Sequence, residues 1–419
     1  MNPDIAIIGA GYVGMPHAQT FAEAGRRVVL VDIQQSVVDG INRGESHIED
    51  VPSDDLRRLV DAGLISATTD FGIVRDCDAV VIAVPTPLSP QREPDLRYIE
   101  SAARDVAPHL KKGHVVVLES TTYPGTTREV LKPVLEEGSG LRAGTDFYLA
   151  FAPERVDPGR TDWTTKSTPK VVGGIDAAST TAAAALYRSA LDDVHEVSTA
   201  EVAELTKLLE NIFRSVNIAL VNELAQLCDR MDIDVWEVIE AAGTKPFGFM
   251  PFHPGPGLGG HCIPLDPYYL AWKAREFDFN TRFVELAGEI NNNMPYFCRS
   301  VISQALNHGA QKSLKGSRIL LVGVAYKADI GDVRESPAEK VLKLLRNAGA
   351  DVAYHDPFVP EFDGLRSAPL DPSAYDCVAI VTAHTSIDYE RLVDEAGLVV
   401  DLRNATGAKG TASEKVFKL

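Results

Sequence analysis

A glycine-rich segment near the start of the chain constrains the fold more than any other feature. An apolar run, residues 4–8, leads directly into Gly9, Gly11 and Gly14 in the pattern G-x-G-x-x-G, and a helical pattern follows over residues 15–24. These glycines permit a tight turn, the approach of a pyrophosphate to the backbone and the packing of the helix on the strand. The segment therefore predicts a dinucleotide-binding βαβ unit in an α/β fold.

The end of the next strand indicates which dinucleotide is bound. Residues 26–31 form a second apolar strand, and Asp32 stands at its end. A carboxylate there would accept hydrogen bonds from both ribose hydroxyls and repel a 2′-phosphate, which favours NAD over NADP. Asp32 could instead be only a strand-end or helix-capping residue. The neighbouring Tyr12, Val13 and Ile33 are further candidate cofactor contacts.

Polar clusters follow the later strands of this unit. Residues 79–84 are followed by Pro85 and Thr86, residues 115–118 by Thr121, and residues 148–151 by Glu154 and Arg155. Because ligands bind beyond the carboxyl ends of parallel strands, these side chains are candidates for a site. Thr121 and Glu154 could orient or activate a water near the cofactor, or could serve only as turn and cap residues.

Composition excludes several classes of protein. The 419 residues carry 41 Lys and Arg against 59 Asp and Glu, and the net charge of −18 disfavours nucleic acids and anionic membranes as partners. No apolar run approaches the length of a bilayer span and the chain starts directly with a strand, so we expect a cytoplasmic protein. Five scattered cysteines without a CxxC pair predict neither a disulfide framework nor a zinc site, but allow one reactive thiol. We expect no bound metal.

Residues 253–267 contain too many glycines and prolines for a helix or a strand, and they predict a shaped loop. Its glycines, among them Gly259, allow the backbone to approach a ligand closely. Cys262 and then Asp266 follow, so the loop carries a nucleophile and a carboxylate. The alternative is a turn with a buried, inert cysteine.

Residues 198–231 show apolar side chains at helical spacing, which predicts one long helix between two α/β units. Such a helix is well placed to be the backbone of the molecule and a dimer surface. Lys207 and Asn211 are four positions apart and therefore share one face. The alternative for Lys207 is a solvated side chain that pairs with Glu204.

A new α/β unit follows the helical region. An apolar strand, residues 318–325, runs into a loop, residues 326–337, that lacks the G-x-G-x-x-G pattern, so a second dinucleotide site is not expected. Lys327 and Arg334 precede a helix, as in a phosphate-binding loop, and Arg403 follows the last strand at the same edge. The whole pattern predicts an α/β protein with two Rossmann-like, doubly wound domains joined by a long central helix.

Six separated motifs resemble the nucleotide-sugar 6-dehydrogenase family, the relatives of UDP-glucose and GDP-mannose dehydrogenases. The resemblance covers essentially the whole chain and is closest to the branch that oxidises UDP-N-acetylhexosamines. The motifs are Gly9-Ala10-Gly11-Tyr12-Val13-Gly14, Glu119-Ser120-Thr121, Pro153-Glu154-Arg155, Glu204-Leu205-Thr206-Lys207 with Asn211, Gly259-Gly260-His261-Cys262 with Asp266, and Lys327 with Arg334-Glu335-Ser336.

The resemblance implies an NAD-dependent, four-electron oxidation of the C6 hydroxyl of a UDP-sugar to a carboxylate. Cys262 would capture the intermediate aldehyde as a thiohemiacetal, which is oxidised to a thioester and hydrolysed. Lys207 would stabilise the developing oxyanion, as a base or only as an electrostatic donor, and Asn211 would hydrogen-bond to it. Asp266 would order water or assist proton transfer together with Thr121 and Glu154. The catalytic residues would be Cys262, Lys207, Asn211, Asp266, Glu154 and Thr121.

The resemblance also implies ligand contacts and an assembly. Lys327 would hold the sugar, and Arg334 would lie near a cofactor phosphate. The substrate contacts would be Glu154, Arg155, Lys207, Asn211, Phe252, Gly259, Lys327 and Arg403. The expected domains are an NAD-binding domain at residues 1–197, a central helical domain with the cysteine loop at residues 198–312, and a UDP-sugar-binding domain at residues 313–419. We expect a homodimer that forms through the central helix.

The predicted sugar depends on departures from the UDP-glucose branch. Residues 244–252 contain no arginine where that branch has one, and residues 153–159 look more like the N-acetylhexosamine branch. We therefore predict UDP-N-acetylglucosamine, with UDP-glucose, UDP-N-acetylmannosamine and UDP-N-acetylgalactosamine as alternatives.

Two rival classes share parts of this pattern. A 3-hydroxyacid or 6-phosphogluconate type dehydrogenase has a similar first domain and long helix but needs no thiol, so Cys262 and the last α/β unit argue against it. A non-catalytic sensor of NAD or of a nucleotide sugar would have no reason to keep the thiol and its polar neighbours together.

Overall fold

The computed structural model describes residues 3–89, 92–156, 163–260 and 262–419. The chain folds into two compact units. One unit contains Met1–Glu210 and Tyr268–Phe279, and the other contains Asn211–Pro267 and Asn280–Leu419. Every helix in the described part of the chain is too short or too polar to serve as a membrane span.

Short runs of β-branched and other apolar residues form the sheet of the first unit, because such runs pack well when helices cover both sheet faces. The strands are β1 (Ile5–Ile8), β2 (Val28–Val31), β3 (Ile65–Thr68), β4 (Ala79–Ile82), β5 (Val115–Leu118), β6 (Tyr148–Phe151), β7 (Lys170–Gly174) and β8 (Val194–Glu196). Their order is β3-β2-β1-β4-β5-β6-β7-β8. The first six are parallel in the order of a dinucleotide-binding sheet, which confirms the predicted doubly wound domain, whereas β7 runs antiparallel to β6.

Helices cover both faces of this sheet. They are α1 (Gly14–Glu23), α2 (Gln35–Asn42), α3 (Ser53–Asp61), α4 (Arg97–Val106), α5 (Lys132–Ser139) and α6 (Ala177–Arg188). One buried cluster joins Ile7 of β1 to Phe21 of α1, and another joins Ile8 of β1 to Ile99 of α4. Alternate residues of one strand therefore enter two cores.

The sequence pattern of residues 96–110 predicts a helix, and the observed helix ends earlier. Helix α4 stops at Val106, and a 3-10 turn, Ala107–His109, follows. Pro108 explains the change, because proline has no N–H to donate to the α-helical ladder.

The predicted long central helix is confirmed as α7 (Ala200–Met231). Its residues up to Glu210 belong to the first unit, and the remainder belongs to the second. Three more helices follow it: α8 (Val235–Gly243), α9 (Asp266–Ala274) and α10 (Arg282–Ala310).

The second unit contains a parallel sheet of its own. Its elements are β9 (Arg318–Val322), α11 (Pro337–Asn347), β10 (Asp351–His355), β11 (Glu361–Phe362), β12 (Leu365–Arg366), β13 (Cys377–Ile380), α12 (Tyr389–Glu395), β14 (Val399–Asp401), α13 (Gly407–Thr411) and β15 (Val416–Lys418). The five-stranded order is β10-β9-β13-β14-β15, with β11 and β12 as a separate pair. Strand β9 ends at Val322, before the predicted residue 325, because Gly323 turns the chain with φ +78°.

Glu204 of α7 fixes the loop that follows β5. One carboxylate oxygen accepts a hydrogen bond from the Gly125 N–H (2.6 Å), and the other accepts from the Thr127 N–H (2.8 Å) and hydroxyl (2.7 Å). Burial raises the pKa of Glu204 to about 7, although these three donated bonds favour the ionised form. The loop that carries Thr121 is thereby tied to the first turns of α7.

We predict that Glu204→Ala destabilises the protein by about 3 kcal/mol or more, because it leaves three buried donors without an acceptor, at about 1–3 kcal/mol each. Urea unfolding measures the loss. Glu137→Ala on α5 removes an exposed carboxylate and should shift the midpoint little. Equal midpoints for the two variants would contradict the anchoring role of Glu204.

Candidate active site

The first glycine loop combines two crowded positions with one open position. A Cβ on Gly9, where φ is +99°, would lie 2.6 Å from the Ala83 carbonyl oxygen, and a Cβ on Gly14 would collide with the Gly9 carbonyl oxygen. A Cβ on Gly11 would meet no heavy atom of the described residues within 4 Å. Gly9 and Gly14 therefore serve the fold, whereas the space beside Gly11 fits a cofactor phosphate.

Asp32 ties this loop to the end of β2. Its Oδ2 accepts a hydrogen bond from the Ala10 N–H (3.0 Å) and its Oδ1 accepts from the Gln34 N–H (2.9 Å). The side chains of Tyr12 and Ile33 are 40% and 79% exposed, so both can contact a bound dinucleotide. Val13 precedes α1 as its N-cap residue. The Asp32 carboxylate thus lies beside the glycine loop at the end of β2.

The predicted residues after β4 and β5 are also held at this sheet edge. Ser120 donates its hydroxyl to the Val84 carbonyl (2.7 Å), directly before Pro85. The Thr86 carbonyl accepts a hydrogen bond from the Tyr269 hydroxyl (2.9 Å). Thr121, next to Ser120, is 8% exposed. The sheet therefore brings Pro85, Thr86 and Thr121 to neighbouring strand ends.

Glu154 and Arg155 point to different partners. The Glu154 carboxylate accepts a hydrogen bond from the Val156 N–H (2.9 Å) and contacts a buried lysine, Lys170, at 3.2 Å. The Arg155 guanidinium forms an ion pair with Glu210 (2.6 Å) and donates to the Pro169 carbonyl (2.6 Å). Arg155 therefore has a structural ion pair, in addition to any contact with substrate.

Lys207 is not a solvated lysine. It is 6% exposed, and its expected alternative partner Glu204 binds Gly125 and Thr127 instead. A buried lysine ammonium requires a polar or anionic environment. This burial favours a role in a site over the alternative of a surface ion pair.

Three predicted residues of the second unit come together at the cysteine loop. Asn211 donates its amide to Asp266 Oδ2 (2.6 Å), and the Asp266 N–H binds the Cys262 carbonyl (2.9 Å). Asp266 is 1% exposed. The carboxylate is thus held next to the thiol-bearing residue by the first turn of α9.

A chain of buried amides holds the other end of this loop. Asn222 of α7 accepts the Gly255 N–H (3.0 Å) and donates to Asn291 of α10 (2.9 Å), which donates to the Ser215 carbonyl (3.0 Å). Asn222 and Asn291 are 0% and 3% exposed. Sequence reasoning missed both, although an asparagine among apolar helix positions was a signal for a buried network.

The loop also packs closely on the segment after β9. The Gly260 N–H donates to the Arg334 carbonyl (3.0 Å). A Cβ on Gly259 would lie 2.5 Å from Cβ of Tyr326. A side chain at Gly259 is therefore excluded sterically, and the backbone lies against the segment that carries Lys327.

The predicted cationic residues of the second unit differ in their surroundings. Arg334 forms a bidentate ion pair with Asp332 (2.6 Å to Oδ2 and 3.0 Å to Oδ1), and Arg403 donates its Nε–H to the Val381 carbonyl (3.0 Å). Burial lowers the pKa of Arg403, and its guanidinium lies beside Gly255, where a Cβ would approach it to 2.5 Å. Phe252 packs edge-on against a phenylalanine of α7, with ring centroids 5.7 Å apart.

Exposure separates Cys262 from the other thiols. Cys262 is half-buried, whereas the remaining four cysteines are buried. Burial raises the pKa of Cys77, Cys298 and Cys377 to about 12, so these thiols stay protonated. The alternative of an inert, buried cysteine therefore fits the other positions better than Cys262. His261 precedes Cys262 in the sequence, where it could tune the thiol or only fill the loop, and it lies outside the described residues.

We predict that Gly11→Ala raises the KM for NAD about tenfold or more, which corresponds to about 1.4 kcal/mol, because a methyl group enters the space for the phosphate. The melting temperature should not change, since the added carbon meets open space. Gly14→Ala should lower the melting temperature, because its methyl group collides with the backbone. Steady-state kinetics and thermal melts check both. An unchanged KM in Gly11→Ala would place the cofactor elsewhere.

Comparison with known proteins identifies the family. Three profiles of the UDP-glucose/GDP-mannose dehydrogenase family match in order: the NAD binding domain at residues 3–191, the central domain at residues 201–293 and the UDP binding domain at residues 320–408.

Individual relatives match over nearly their full length. The chain is 38% identical over 408 residues to UDP-N-acetyl-D-mannosamine dehydrogenase of Pyrococcus horikoshii, covering 96% of this chain and 95% of the relative. It is 35% identical over 390 residues to UDP-N-acetyl-D-glucosamine 6-dehydrogenase of Pseudomonas aeruginosa, covering 91% and 90%. The solved structure of UDP-D-ManNAc dehydrogenase from Pyrococcus horikoshii has a TM-score of 0.91 at 35% identity, over 99% of this chain and 98% of that one.

The three matched profiles are consistent with the glycine loop, with Asp32 and with the half-buried Cys262. The chain belongs to the UDP-glucose/GDP-mannose dehydrogenase family, and it is an NAD-dependent UDP-sugar 6-dehydrogenase.

Proposed function

We propose that this enzyme oxidises UDP-N-acetyl-D-glucosamine at C6 to the corresponding uronic acid through a covalent adduct of Cys262. The observation that carries the proposal is the contact of Asn211 with Asp266 beside Cys262, the one cysteine among the five that is not buried. The absence of arginine from residues 244–252 supports an N-acetylhexosamine over glucose.

Cys262 divides the four-electron oxidation into two similar steps. The glycine loop with Gly11 and Asp32 would hold NAD, which would supply the hydride acceptor for both oxidations at C6. Between them, the Cys262 thiolate adds to the C6 aldehyde, and the resulting thiohemiacetal is oxidised to a thioester. Water then adds to the thioester carbonyl, the C–S bond breaks, and the carboxylate leaves while the thiol regains its proton.

The polar neighbours have distinct roles in this proposal. Lys207 and Asn211 share one face of α7, so a cation and an amide donor can stabilise the oxygen at C6 as it becomes negative. Asp266 accepts one amide hydrogen of Asn211 and thereby fixes the orientation of that amide. Thr121 and Glu154 position the water that hydrolyses the thioester.

The remaining predicted contacts complete the proposal. Lys327 holds the sugar and Arg334 lies near a cofactor phosphate. The other substrate contacts are Arg155, Phe252, Gly259 and Arg403. We assign the NAD-binding, central and UDP-sugar-binding domains to residues 1–197, 198–312 and 313–419, and the cytoplasmic location stays a prediction.

UDP-N-acetyl-D-mannosamine is the second candidate substrate. A relative that carries this sugar in its name is 38% identical over 96% of the chain. The two sugars differ in configuration at C2, which the C6 chemistry at Cys262 does not distinguish.

We predict two NADH per sugar consumed when the wild type receives its substrate. The test offers UDP-N-acetylglucosamine, UDP-N-acetylmannosamine, UDP-N-acetylgalactosamine and UDP-glucose separately and follows absorbance at the NADH band. Cys262→Ser should lose this complete turnover or accumulate a covalent adduct, because the serine alkoxide is a poorer leaving group than the cysteine thiolate.

Cys298→Ser is the matched control, since that thiol is buried with its pKa raised to about 12, and it should keep the stoichiometry of two. One NADH per sugar that is unaffected by Cys262→Ser would contradict the thiol route. A higher kcat/KM for UDP-glucose than for every N-acetyl sugar would contradict the proposed substrate class.

We further propose that the enzyme is a homodimer through the central helix. Exposed apolar side chains recur on the second-unit part of α7 at intervals of seven, four, three and four residues: Phe213, Leu220, Leu224, Leu227 and Met231. Such a continuous apolar stripe is costly in water and is typical of an oligomer interface. A second copy of the same chain matches it, because a two-fold axis places identical apolar stripes against each other.

We predict that the wild type elutes at about twice the 45.3 kDa chain mass and that Leu220→Glu with Leu227→Glu elutes as a monomer, since burying these charges in an apolar interface is costly. Light scattering after size exclusion measures both masses. Tyr98→Glu, at an exposed aromatic on α4, should remain dimeric. A monomeric wild type, or a dimeric double variant, would contradict the assignment.

A further inference from the structure

A buried group of charged side chains lies at the sheet edge of the first unit, behind Glu154. Lys170 is 4% exposed, and its ammonium lies 3.1 Å from Glu119, 3.2 Å from Glu154 and 2.9 Å from Nε2 of His17. Tyr187 donates its hydroxyl to the same Glu119 oxygen. The other Glu119 oxygen makes no hydrogen bond with the described residues and lies 3.4 Å from Nδ1 of His17.

The sheet topology explains how these residues meet. Glu119 follows β5 and Glu154 follows β6, so both lie at the carboxyl ends of parallel strands. Strand β7 runs antiparallel to β6, and its first residue, Lys170, therefore reaches the same edge. His17 comes from α1, the helix that begins at the cofactor loop.

Lys170 contacts three side chains whose ligand atoms lie close enough together to hold a metal ion. One ligand atom from each of His17, Glu119 and Glu154 lies within 4.8 Å of the others, as in a metal site. The ammonium makes close contacts with all three, so this cluster already has an internal cation. His17 donates its Nδ1–H to the Val13 carbonyl (2.9 Å), since a carbonyl only accepts, and this bond fixes the ring so that Nε2 faces Lys170 and Glu154.

We propose that Lys170, supported by His17, is a positioning residue that holds Glu154 as a permanently ionised acceptor, so that Glu154 orients water in the thioester hydrolysis without exchanging a proton with it. This inference rests on the proposed role of Glu154. One Glu154 oxygen accepts a hydrogen bond from the Val156 N–H and the other accepts from Lys170, while Nε2 of His17 lies 3.1 Å from that second oxygen. Burial alone would raise the pKa of Glu154, but the neighbouring Lys170 ammonium, followed by the His17 ring and the Val156 N–H, lowers it to about 2.

Removal of the Lys170 charge should cause the carboxylates of Glu119 and Glu154 to take up a proton. With Lys170 present, its ammonium contacts two carboxylates that lie within 4.8 Å of each other. Lys170→Met leaves those carboxylates together in a buried place, where like charges cannot both persist, so the pair takes up one shared proton. The fraction of ionised Glu154 then depends on pH. Lys170→Met with Glu119→Gln removes one charge of each sign and leaves Glu154 without an anionic neighbour.

The first experiment is an infrared titration of the unliganded enzyme between about pH 6 and 8, where ordinary carboxyl groups are ionised. Relative to the wild type, Lys170→Met should gain one titrating carboxylic acid band, and the double variant should not. Glu204, whose pKa is raised to about 7, titrates in every variant and cancels in the difference. This readout needs no substrate, so it separates this inference from the proposed function. No additional band in Lys170→Met would overturn it.

The second experiment measures kcat against pH with saturating NAD and substrate. At the acid side, kcat of the wild type and of Lys170→Arg should not change with pH. In contrast, kcat of Lys170→Met should fall about tenfold per pH unit below its new apparent pKa. In the double variant, kcat should again be independent of pH. A loss in Lys170→Met that is the same at every pH and persists in the double variant would indicate a purely structural role and overturn the proposal. Glu119→Gln keeps the Lys170–Glu154 pair. We therefore expect kcat of this variant to be independent of pH at the acid side, whether or not Lys170→Met folds.

Discussion

A buried polar group without a partner costs about 1–3 kcal/mol, and this cost fixes the loops that carry the chemistry. Glu204 holds the loop after β5 through three donated hydrogen bonds. Asn222 holds the cysteine loop through the Gly255 N–H. Each anchor lies on a long helix, so a loop that would otherwise sample many conformations is tied to rigid secondary structure.

The same constraint explains the contrast between glycine positions. Where a loop packs against backbone, as Gly14 does against the Gly9 carbonyl and Gly259 against Tyr326, a side chain is excluded sterically. Gly11 faces open space instead. Loop rigidity and ligand space are therefore provided by different glycines. Lys170 satisfies charge in a comparable way, because its ammonium lies within 3.2 Å of two carboxylates at the sheet edge.

Much of this fold follows from local pattern. The glycine motif, the apolar strands and the helical spacing of α7 each depend on residues close in sequence, so they predict elements and their order. Helix α4 and strand β9 end earlier than the sequence pattern predicts, because Pro108 and Gly323 follow them. The contact between Asn211 and Asp266 could be expected only through the resemblance to a family.

The remainder could not be predicted, because it depends on long-range pairing. Lys170 meets His17 across 153 positions of sequence, and Asn222 meets Asn291 across 69. Local periodicity carries no information about such pairs. The antiparallel direction of β7 decides that Lys170 faces Glu154, and a parallel strand would have placed this lysine at the opposite edge of the sheet.

The most direct test of the account is to trap the acyl intermediate with hydroxylamine during turnover and to identify the product by mass spectrometry. A thioester on Cys262 predicts a UDP-sugar hydroxamate, formed with two NADH per sugar at the expense of the uronate. An oxime formed with one NADH per sugar would show that a free aldehyde leaves the thiol, and uronate formation that hydroxylamine never diverts would show that no thioester forms. Either result would contradict the central role of Cys262.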